Sequence, residues 1–437
     1  MAALLGDDEL DAFLAAMRAP RVRGLRLNPA KTHTAQLRDL LATDLTPVPW
    51  CPNGFSFTSG PLGGHPAHLA GLYYLQEPSA MLVAPTLNPP AGARVADLAA
   101  APGGKTTHLT ALVGPRGCVI ANEHAAARLG SLHASLDLWG GAGVVTTGQP
   151  LHRLADVVEP VEGIVLDAPC TGEGLFRRRP TAVRDWSPAA VAGSARRQAR
   201  LLTEAATMLA PHGVLVYSTC TFNREENEDR IAAFLDDHPE WAVEPLPPVG
   251  GAVPGVDGLG LRLWPHRVDG EGQFVARLRA PDDWEIGHRR RPSRAAAPDP
   301  TVRAAWHDFA ARQLVDAEIH GDLIVRGDTV YCGPSGSGVD PTAPARPGVP
   351  LGRARPGRFE PAHALATTLR PEQARHRVHL SDDDPYLRMF LSGNVVDSPG
   401  PAGWVLVCWR DWPVGWARRS GGVLKNHLPD QVRRMVS

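Results

Sequence analysis

Lysine is almost missing from this chain: of 45 basic residues, only Lys31, Lys105 and Lys425 are lysine and all others are arginine. Their settings, LRLNPAKT, APGGKTT and LKNHLPDQ, mark places where a compact ammonium could do what a planar guanidinium does not. Cysteine is scarce too, six in 437 residues with no C-x-x-C pair. That argues against a disulfide framework and against a structural zinc site, so no metal is expected. No apolar run approaches the length of a membrane span, and no membrane partner is expected. The N-terminus, MAALLGDDELDAF, is acidic where a secretory signal would be basic. The expectation is a cytoplasmic enzyme with two or three domains and a sizeable core.

Charge is balanced in sum and uneven along the chain. Residues 1–285 carry 24 Lys and Arg against 31 Asp and Glu, whereas residues 286–437 carry 21 against 15. The basic C-terminal third suits an anionic partner, although a solvated surface would look the same. Residues 279–300 are charged and proline-rich and read as a linker, and 333–350 as a long Gly/Pro/Ser loop. The segment 51–66 reads as turns around one short strand.

Between about 90 and 280 the pattern alternates. Short apolar runs at 94–98, 118–122, 143–147, 163–167 and 213–217 are continuous, as in strands buried on both faces. Helical segments at 104–113, 125–139 and 190–210 separate most of them. A further helix is expected from Thr221 or Asn223, with Glu225 and Glu226 in its first turn. This alternation predicts a doubly wound α/β sheet whose ligands gather beyond the carboxyl ends of its strands.

The first strand runs into VADLAAAPGGKTTHL (95–109), where Gly103 and Gly104 allow a tight turn and a close approach to a ligand. Glu123, 20 residues beyond Gly103 at the end of the second strand, stands where an acid would hold a ribose diol. A rival reading is a phosphate-binding loop with Asp167 as its magnesium-holding acid. It fails at Ala99, where that loop needs glycine, and at Pro102, which removes an amide donor. It also leaves DAPCTGEG (167–174) and YSTCTFNREENE (217–228) unexplained. Each of these puts a cysteine, Cys170 or Cys220, just past a buried strand. Burial as small apolar residues is the ordinary fate of cysteine. Here turn residues surround Cys170 and hydroxyls flank Cys220, and a helix starting just after Cys220 would favour its thiolate.

A thiolate, a carboxyl group and a nucleoside-type cofactor suit methylation of a pyrimidine. Addition of sulfur to C6 makes C5 nucleophilic, a carboxyl group at the N3 edge relieves the developing charge, and elimination after methyl transfer frees the thiol.

These three motifs closely resemble those of the RNA cytosine-C5 methyltransferases of the Nop/Sun group, which use S-adenosyl-L-methionine. LRLNPAKT (25–32), YYLQEPSAML (73–82), LRLWPHRVDGEGQFVARL (261–278) and GVLKNHLPDQVRR (422–434) resemble further blocks. The last block and the chain length are similar to the bacterial subgroup of 16S rRNA methyltransferase F. The resemblance implies a Rossmann-like S-adenosylmethionine-dependent methyltransferase domain at 76–285. It further implies an N-terminal RNA-binding segment at 1–75, a connecting domain at 295–378 and a C-terminal PUA-like β module at 379–437. It makes Cys220 the nucleophile on C6, Cys170 the promoter of product release, and Asp167 the carboxyl group facing both the base and the methyl-bearing end of the cofactor. Ala99, Ala100, Ala101, Pro102, Gly103, Gly104 and Lys105 would wrap the cofactor, with Glu123 on its ribose. Lys105 has an alternative role as a tether for the loop. The implied partner is 16S rRNA or the small ribosomal subunit, met by a monomer.

Two departures stand out. Ala99 replaces a common cysteine, a small-for-small change. After the third strand, where an aspartate usually meets the adenine end, the chain has Gly148 and Gln149, and that contact stays unassigned. Phosphate-contact candidates are Arg26 and Lys31 near the N-terminus, Arg418, Arg419 and Lys425 near the C-terminus, and the runs RRRP (177–180) and RRRPSR (289–294). WVLVCWRDWPVGWARR reads as two strands around a Pro/Gly turn whose tryptophans mostly pack in a core. A catalytically silent RNA-binding protein with a vestigial pocket is the remaining rival.

Overall fold

The computed structural model describes residues 2–58, 60–141, 143–284, 299–315 and 321–436. RRRPSR and most of the linker expected at 279–300 lie outside these residues.

The central sheet grows from the continuous apolar runs. Its parallel strands are β5 (Arg94–Asp97), β6 (Cys118–Asn122), β7 (Val144–Thr147), β8 (Val161–Asp167) and β9 (Leu209–Thr219). Alternate residues of these strands enter two separate cores. Val95, Val119, Val165 and Val216 face one; Ala96, Ile120, Ile164 and Leu215 face the other. Both faces being covered is why no polar alternation is visible in the sequence. The Gly104–Val113, Ala126–Trp139 and Pro188–Ala206 helices fall within a few residues of the expected segments. Ser187 caps the last of these by accepting from Ala190 N, and Pro188 opens it without wasting an amide donor.

Three antiparallel strands extend the sheet: β11 (Val253–Pro254), β12 (Leu261–Leu263) and β13 (Gln273–Arg279), in the order β11-β12-β13-β9-β8-β5-β6-β7. A short strand β10 (Ala242–Glu244) also pairs with β13. Strand order reverses at β5, so the crevice beyond its carboxyl end is the switch point where an open α/β sheet takes its ligand.

Three smaller sheets complete the molecule. The first joins β1 (Arg23–Leu27), β2 (Thr46–Val48), β3 (Cys51–Phe57) and β4 (Tyr73–Leu75). The next joins β14 (Asp322–Arg326), β15 (Thr329–Gly333), β16 (Val349–Arg355) and β17 (Arg358–Pro361). The last contains β18 (Arg377–Leu380), β19 (Val396–Asp397), β20 (Gly403–Trp409), β21 (Trp412–Ser420) and β22 (Val423–Asn426). Its β20–β21 hairpin turns at Arg410 and Asp411; Pro413 and Gly415, read from sequence as the turn, lie inside β21. Trp404, Trp409 and Trp416 are buried, as the sequence suggested. No described helix is long and apolar enough to cross a membrane.

The fourth expected helix, near Cys220, starts later than the sequence reading places it, at Glu228. Asn223 Oδ1 does accept from Glu226 N, at 2.9 Å, and makes one turn. The backbone then departs from helical geometry at Asn227 (φ −114°, ψ −102°), while the Glu226 carboxylate accepts from Thr171 and Gln198 and its carbonyl accepts from Tyr217 Oη. Cys220 therefore ends a strand and opens a loop, and the helix-dipole argument for its thiolate falls.

Candidate active site

Parallel pairing of β8 and β9 sets Asp167 opposite Ser218. The turns that follow carry Cys170 and Cys220, and their sulfurs lie 3.4 Å apart, each side chain partly exposed. Gly172 sits at φ 67°, in the left-handed region, and a Cβ there would lie 3.9 Å from Cys220 Sγ. The turn is thus compact enough to bring the two thiols into contact.

Asp167 is held from three sides. Its Oδ1 accepts from Ser218 Oγ at 2.7 Å and from Gln273 Nε2 at 3.2 Å, and its Oδ2 forms an ion pair with Lys105 Nζ at 2.6 Å. Burial opposes the Lys105 ammonium, but the charge and hydrogen bond of Asp167, with Asp97 and Cys220 behind it, reverse this and raise its pKa. Lys105 is thus committed to the acid at the reaction centre, and a phosphate-binding loop, which needs that ammonium on a phosphate, is disfavoured. The sequence reading gives Ser218 only as one of the hydroxyls flanking Cys220, with no link to Asp167, and Gln273 arrives on an antiparallel strand whose place beside β9 no local signal announces.

On the other side of the switch point lies a cavity of about 630 Å³, lined by Ala99, Asn122, Glu123, Arg128, Leu151 and Pro169 among others. Glu123 is buried at the end of β6; its Oε1 accepts from Ala125 N, while Oε2 lies 3.1 Å from Arg128 Nη1 without a proper hydrogen bond. Arg128 Nη2 donates to Ala101 O at 2.5 Å and so pins the glycine-rich loop. An under-satisfied carboxylate oxygen beside a mostly apolar cavity suits a vicinal diol on an adenosine-like group. Gly103, at φ 112°, is the N-cap of the next helix, and a Cβ there would meet Ser135 Cβ at 3.0 Å. Gly104 begins the helix and Lys105 follows it in the first turn. Ala100 and Ala101 turn inward as core residues, and Pro102 lines a separate cleft with Tyr74, Ser135 and Trp139. Only part of the expected cradle therefore meets Glu123 directly. At the Gly148–Gln149 position the Gln149 backbone is fixed by Asn122, whose Oδ1 accepts from Gln149 N at 3.1 Å.

The phosphate candidates divide. Arg26 is buried: Nε donates to Gln76 Oε1, Nη2 donates to Thr107 Oγ1 and Gly104 O, and the guanidinium lies over the Trp139 ring. Lys31 Nζ donates to Ala70 O and Leu138 O. Both hold the first sheet to the central one, which corrects their assignment to RNA. Arg419 is corrected likewise, since alternation along β21 buries it with Nη2 on Ser398 Oγ. Arg418 and Lys425 are exposed and directly opposite each other. In the 177–180 run, Arg177 is spent on the carbonyls of Ala19, Pro20 and Gly270, while Arg178 and Arg179 stay exposed. Among the described residues no group of three or more His, Cys, Asp or Glu could hold a metal.

Comparison with known proteins agrees with this arrangement along the whole chain. Residues 84–279 match the family described as 16S rRNA methyltransferase RsmB/F, and 1–78 match the N-terminal domain of 16S rRNA methyltransferase RsmF. Residues 308–369 match the first C-terminal domain of RsmF, and 377–434 its PUA domain. A ribosomal RNA small subunit methyltransferase F from Salmonella paratyphi A is 34% identical over 97% of this chain and 93% of its own length. That of Salmonella heidelberg gives the same figures. Among solved structures, a methyltransferase homolog from Pyrococcus horikoshii is 31% identical with TM-score 0.55, covering 64% of this chain and 92% of that one. NSun6 from Pyrococcus horikoshii with SFG shares the fold at TM-score 0.58 and 22% identity, covering 64% and 97%. A site built at the switch point of a Rossmann-like sheet, and four family domains in register along the sequence, lead to one conclusion: the chain belongs to the 16S rRNA methyltransferase F family and is an rRNA methyltransferase.

Proposed function

We propose that this enzyme methylates C5 of a cytosine in 16S rRNA through a covalent bond between Cys220 and C6 of the base. The observation that carries the reading is the pair of sulfurs 3.4 Å apart, on two half-buried residues, beside the Lys105–Asp167 ion pair. S-adenosyl-L-methionine supplies the electrophilic methyl; Glu123, Ala99 and the backbone of the glycine-rich loop would hold it in the 630 Å³ cavity.

Cys220 as thiolate adds to C6, and the C5–C6 π electrons become available at C5 for bonding to the methyl carbon. Charge developing toward N3 is met by the Lys105–Asp167 pair, which supplies a proton that an isolated carboxylate would lack. Ser218 and Gln273 hold Asp167 so that the pair keeps one orientation. After methyl transfer, C5 carries an extra proton. While Cys220 is free, its hydrogen bond, then burial, and then its charge push the Cys170 thiol well up. Once Cys220 is a neutral thioether its hydrogen bond and charge no longer act on Cys170, although burial, Asp167 and Glu226 still do. Cys170 then releases its own proton to solvent and takes the C5 proton as thiolate, and the C6–sulfur bond breaks to restore the ring and free the Cys220 thiolate.

The C-terminal edge formed by Arg418 and Lys425, together with Arg178 and Arg179 near the cysteine turn, would contact RNA phosphates. The target base must leave its stack to reach Cys220, at a cost of a few kcal/mol. We place the enzyme in the cytoplasm, acting as a monomer on 16S rRNA or the small ribosomal subunit. The test is incubation with labelled S-adenosyl-L-methionine and unmodified small subunits. Wild type should transfer label to cytosine C5, Cys220→Ala should transfer none and form no adduct, and Cys170→Ala should accumulate a covalent protein–RNA species. An adduct persisting in Cys220→Ala would reverse the assignment.

A further inference from the structure

Two turns carry the cysteines, yet the central sheet fixes only their first residues. Two buried carboxylates hold them together. Glu173, from the Cys170 turn, accepts from Phe222 N at 2.7 Å and from Asn223 N at 3.0 Å beside a Gly174 N to Cys220 O hydrogen bond of 2.9 Å, and Glu226 closes the gap from the other side. Glu226 has no solvent exposure, and its oxygens accept from Thr171 N at 3.1 Å, from Thr171 Oγ1, from Gln198 Nε2 at 2.7 Å and from Asn223 Nδ2 at 2.8 Å. Thr171 follows Cys170, Asn223 belongs to the Cys220 loop, and Gln198 arrives from the Pro188–Ala206 helix and also donates to Pro169 O. Thr171 and Thr221 hydroxyls meet at 3.1 Å across the same gap. Among the described residues no cation forms an ion pair with Glu226, and every donor on its carboxylate is neutral, two of them from Thr171, the residue after Cys170.

Charge is therefore distributed unequally around the two thiols. The Cys170 thiol is pushed up first by its hydrogen bond to Cys220, then by burial and the charge of Cys220, and then by Asp167 at the end of β8 and Glu226 across the loop. Cys220 has Lys105, from the Gly104–Val113 helix, in its field. Negative charge on the pair is cheaper on the sulfur near the ammonium than on the sulfur near two carboxylates.

We propose that Glu226 is a positioning residue that clips the Cys170 turn to the Cys220 loop and, through its charge, keeps the anion of the sulfur pair on Cys220. This rests on the two-cysteine reading of the site and extends it: the sulfur that attacks is selected by a carboxylate that touches neither substrate nor cofactor. The asymmetry exists in the free enzyme, so it is measurable without RNA or methyl donor, and its failure is distinct from failure of the methylation chemistry.

The experiment is alkylation of the full-length protein by iodoacetamide between pH 6.5 and 9.5, with Cys170 and Cys220 peptides quantified separately by mass spectrometry. In wild type, Cys220 should react and Cys170 be spared. In Glu226→Gln, Cys170 should react about tenfold faster at pH 8, its profile moving down by about one pH unit. Glu226→Asp, which keeps the charge, should restore the wild-type Cys170 profile. Asn223→Ala loosens the clasp without removing charge and should leave the Cys170 midpoint in place. Equal shifts in Glu226→Gln and Asn223→Ala, or no shift in Glu226→Gln, would overturn the proposal. Cys220→Ser gives an arm that leaves the clasp intact. There Cys170 should still titrate above the ordinary thiol value of about 8.5, and a fall to that value would equally refute the role of Glu226.

Discussion

Lys31 and Arg26 look identical to RNA-binding residues in the sequence, and only their surroundings separate the two uses. Burial pushes Lys31 down to about 7, with its ammonium on the carbonyls of Ala70 and Leu138, the latter in the last turn of the Ala126–Trp139 helix, where a cation suits the dipole. Lys31→Met should cost about 1–3 kcal/mol of stability, the usual penalty for leaving buried acceptors unpaired. It should leave the salt dependence of RNA binding unchanged. Because this lysine is lowered in the folded state, the stability it contributes is present above its unfolded value and lost as pH falls through about 7. The Tm deficit of Lys31→Met should therefore widen from pH 6.5 to pH 9. A shallower salt slope at unchanged Tm would restore the phosphate role.

Among elements, the loop 221–227 departs furthest from its expected form and bears most directly on chemistry. It is secured from behind by Arg262 of β12, which donates through Nε and Nη2 to Glu228 at 2.6 and 2.5 Å and through Nη1 to Phe222 O at 2.7 Å. Both partners of this pair are almost fully buried. Removing one leaves an uncompensated charge, so Arg262→Met should cost about 3–5 kcal/mol in urea unfolding. The double variant Arg262→Met, Glu228→Leu should recover much of that loss. Additive losses in the double variant would mean that the loop does not depend on this pair. Phe222 also stacks on Trp264 and meets Phe13 edge-on at 5.3 Å, which ties the N-terminal Asp7–Arg18 helix to the same loop.

At the scale of the molecule, the two ends of the chain share a core. Leu25, Phe55 and Tyr73 of the first sheet pack with Val405, Trp409 and Leu424 of the last, and Trp412 Nε1 donates to Lys31 O. Trp404 and Trp416 face the opposite way, into the core under β14–β17. The last sheet is thus enclosed between the other two small sheets and leaves an edge for RNA. Arg418 and Lys425, opposed across β21 and β22, repel each other, so their pairing costs stability unless an anion joins them. Replacing both by Ala should leave Tm unchanged or slightly raised, while the log–log salt slope for RNA binding falls by about 1.4. An unchanged slope would remove this edge from the RNA path.

The sequence by itself determined the five parallel strands, the helices between them, the glycine-rich loop with its spaced acid, and the positions of both cysteines. These follow from local patterns: apolar runs mark strands buried on both faces, and turn residues mark where strands end. It did not determine which cations are buried, because an arginine bonded to carbonyls and one facing solvent have the same letter. Nor did it disclose Ser218, Gln273, Gln198 or the clasp made by Glu226. Gln198 is 28 residues from Glu226 and Gln273 is 106 from Asp167, and neither partnership leaves a periodic trace. Tertiary structure alone decided these, because a buried carboxylate takes whatever donors the fold brings within 3 Å. Here those donors meet Glu226 where the local helix signal at Asn223 gives out after one turn.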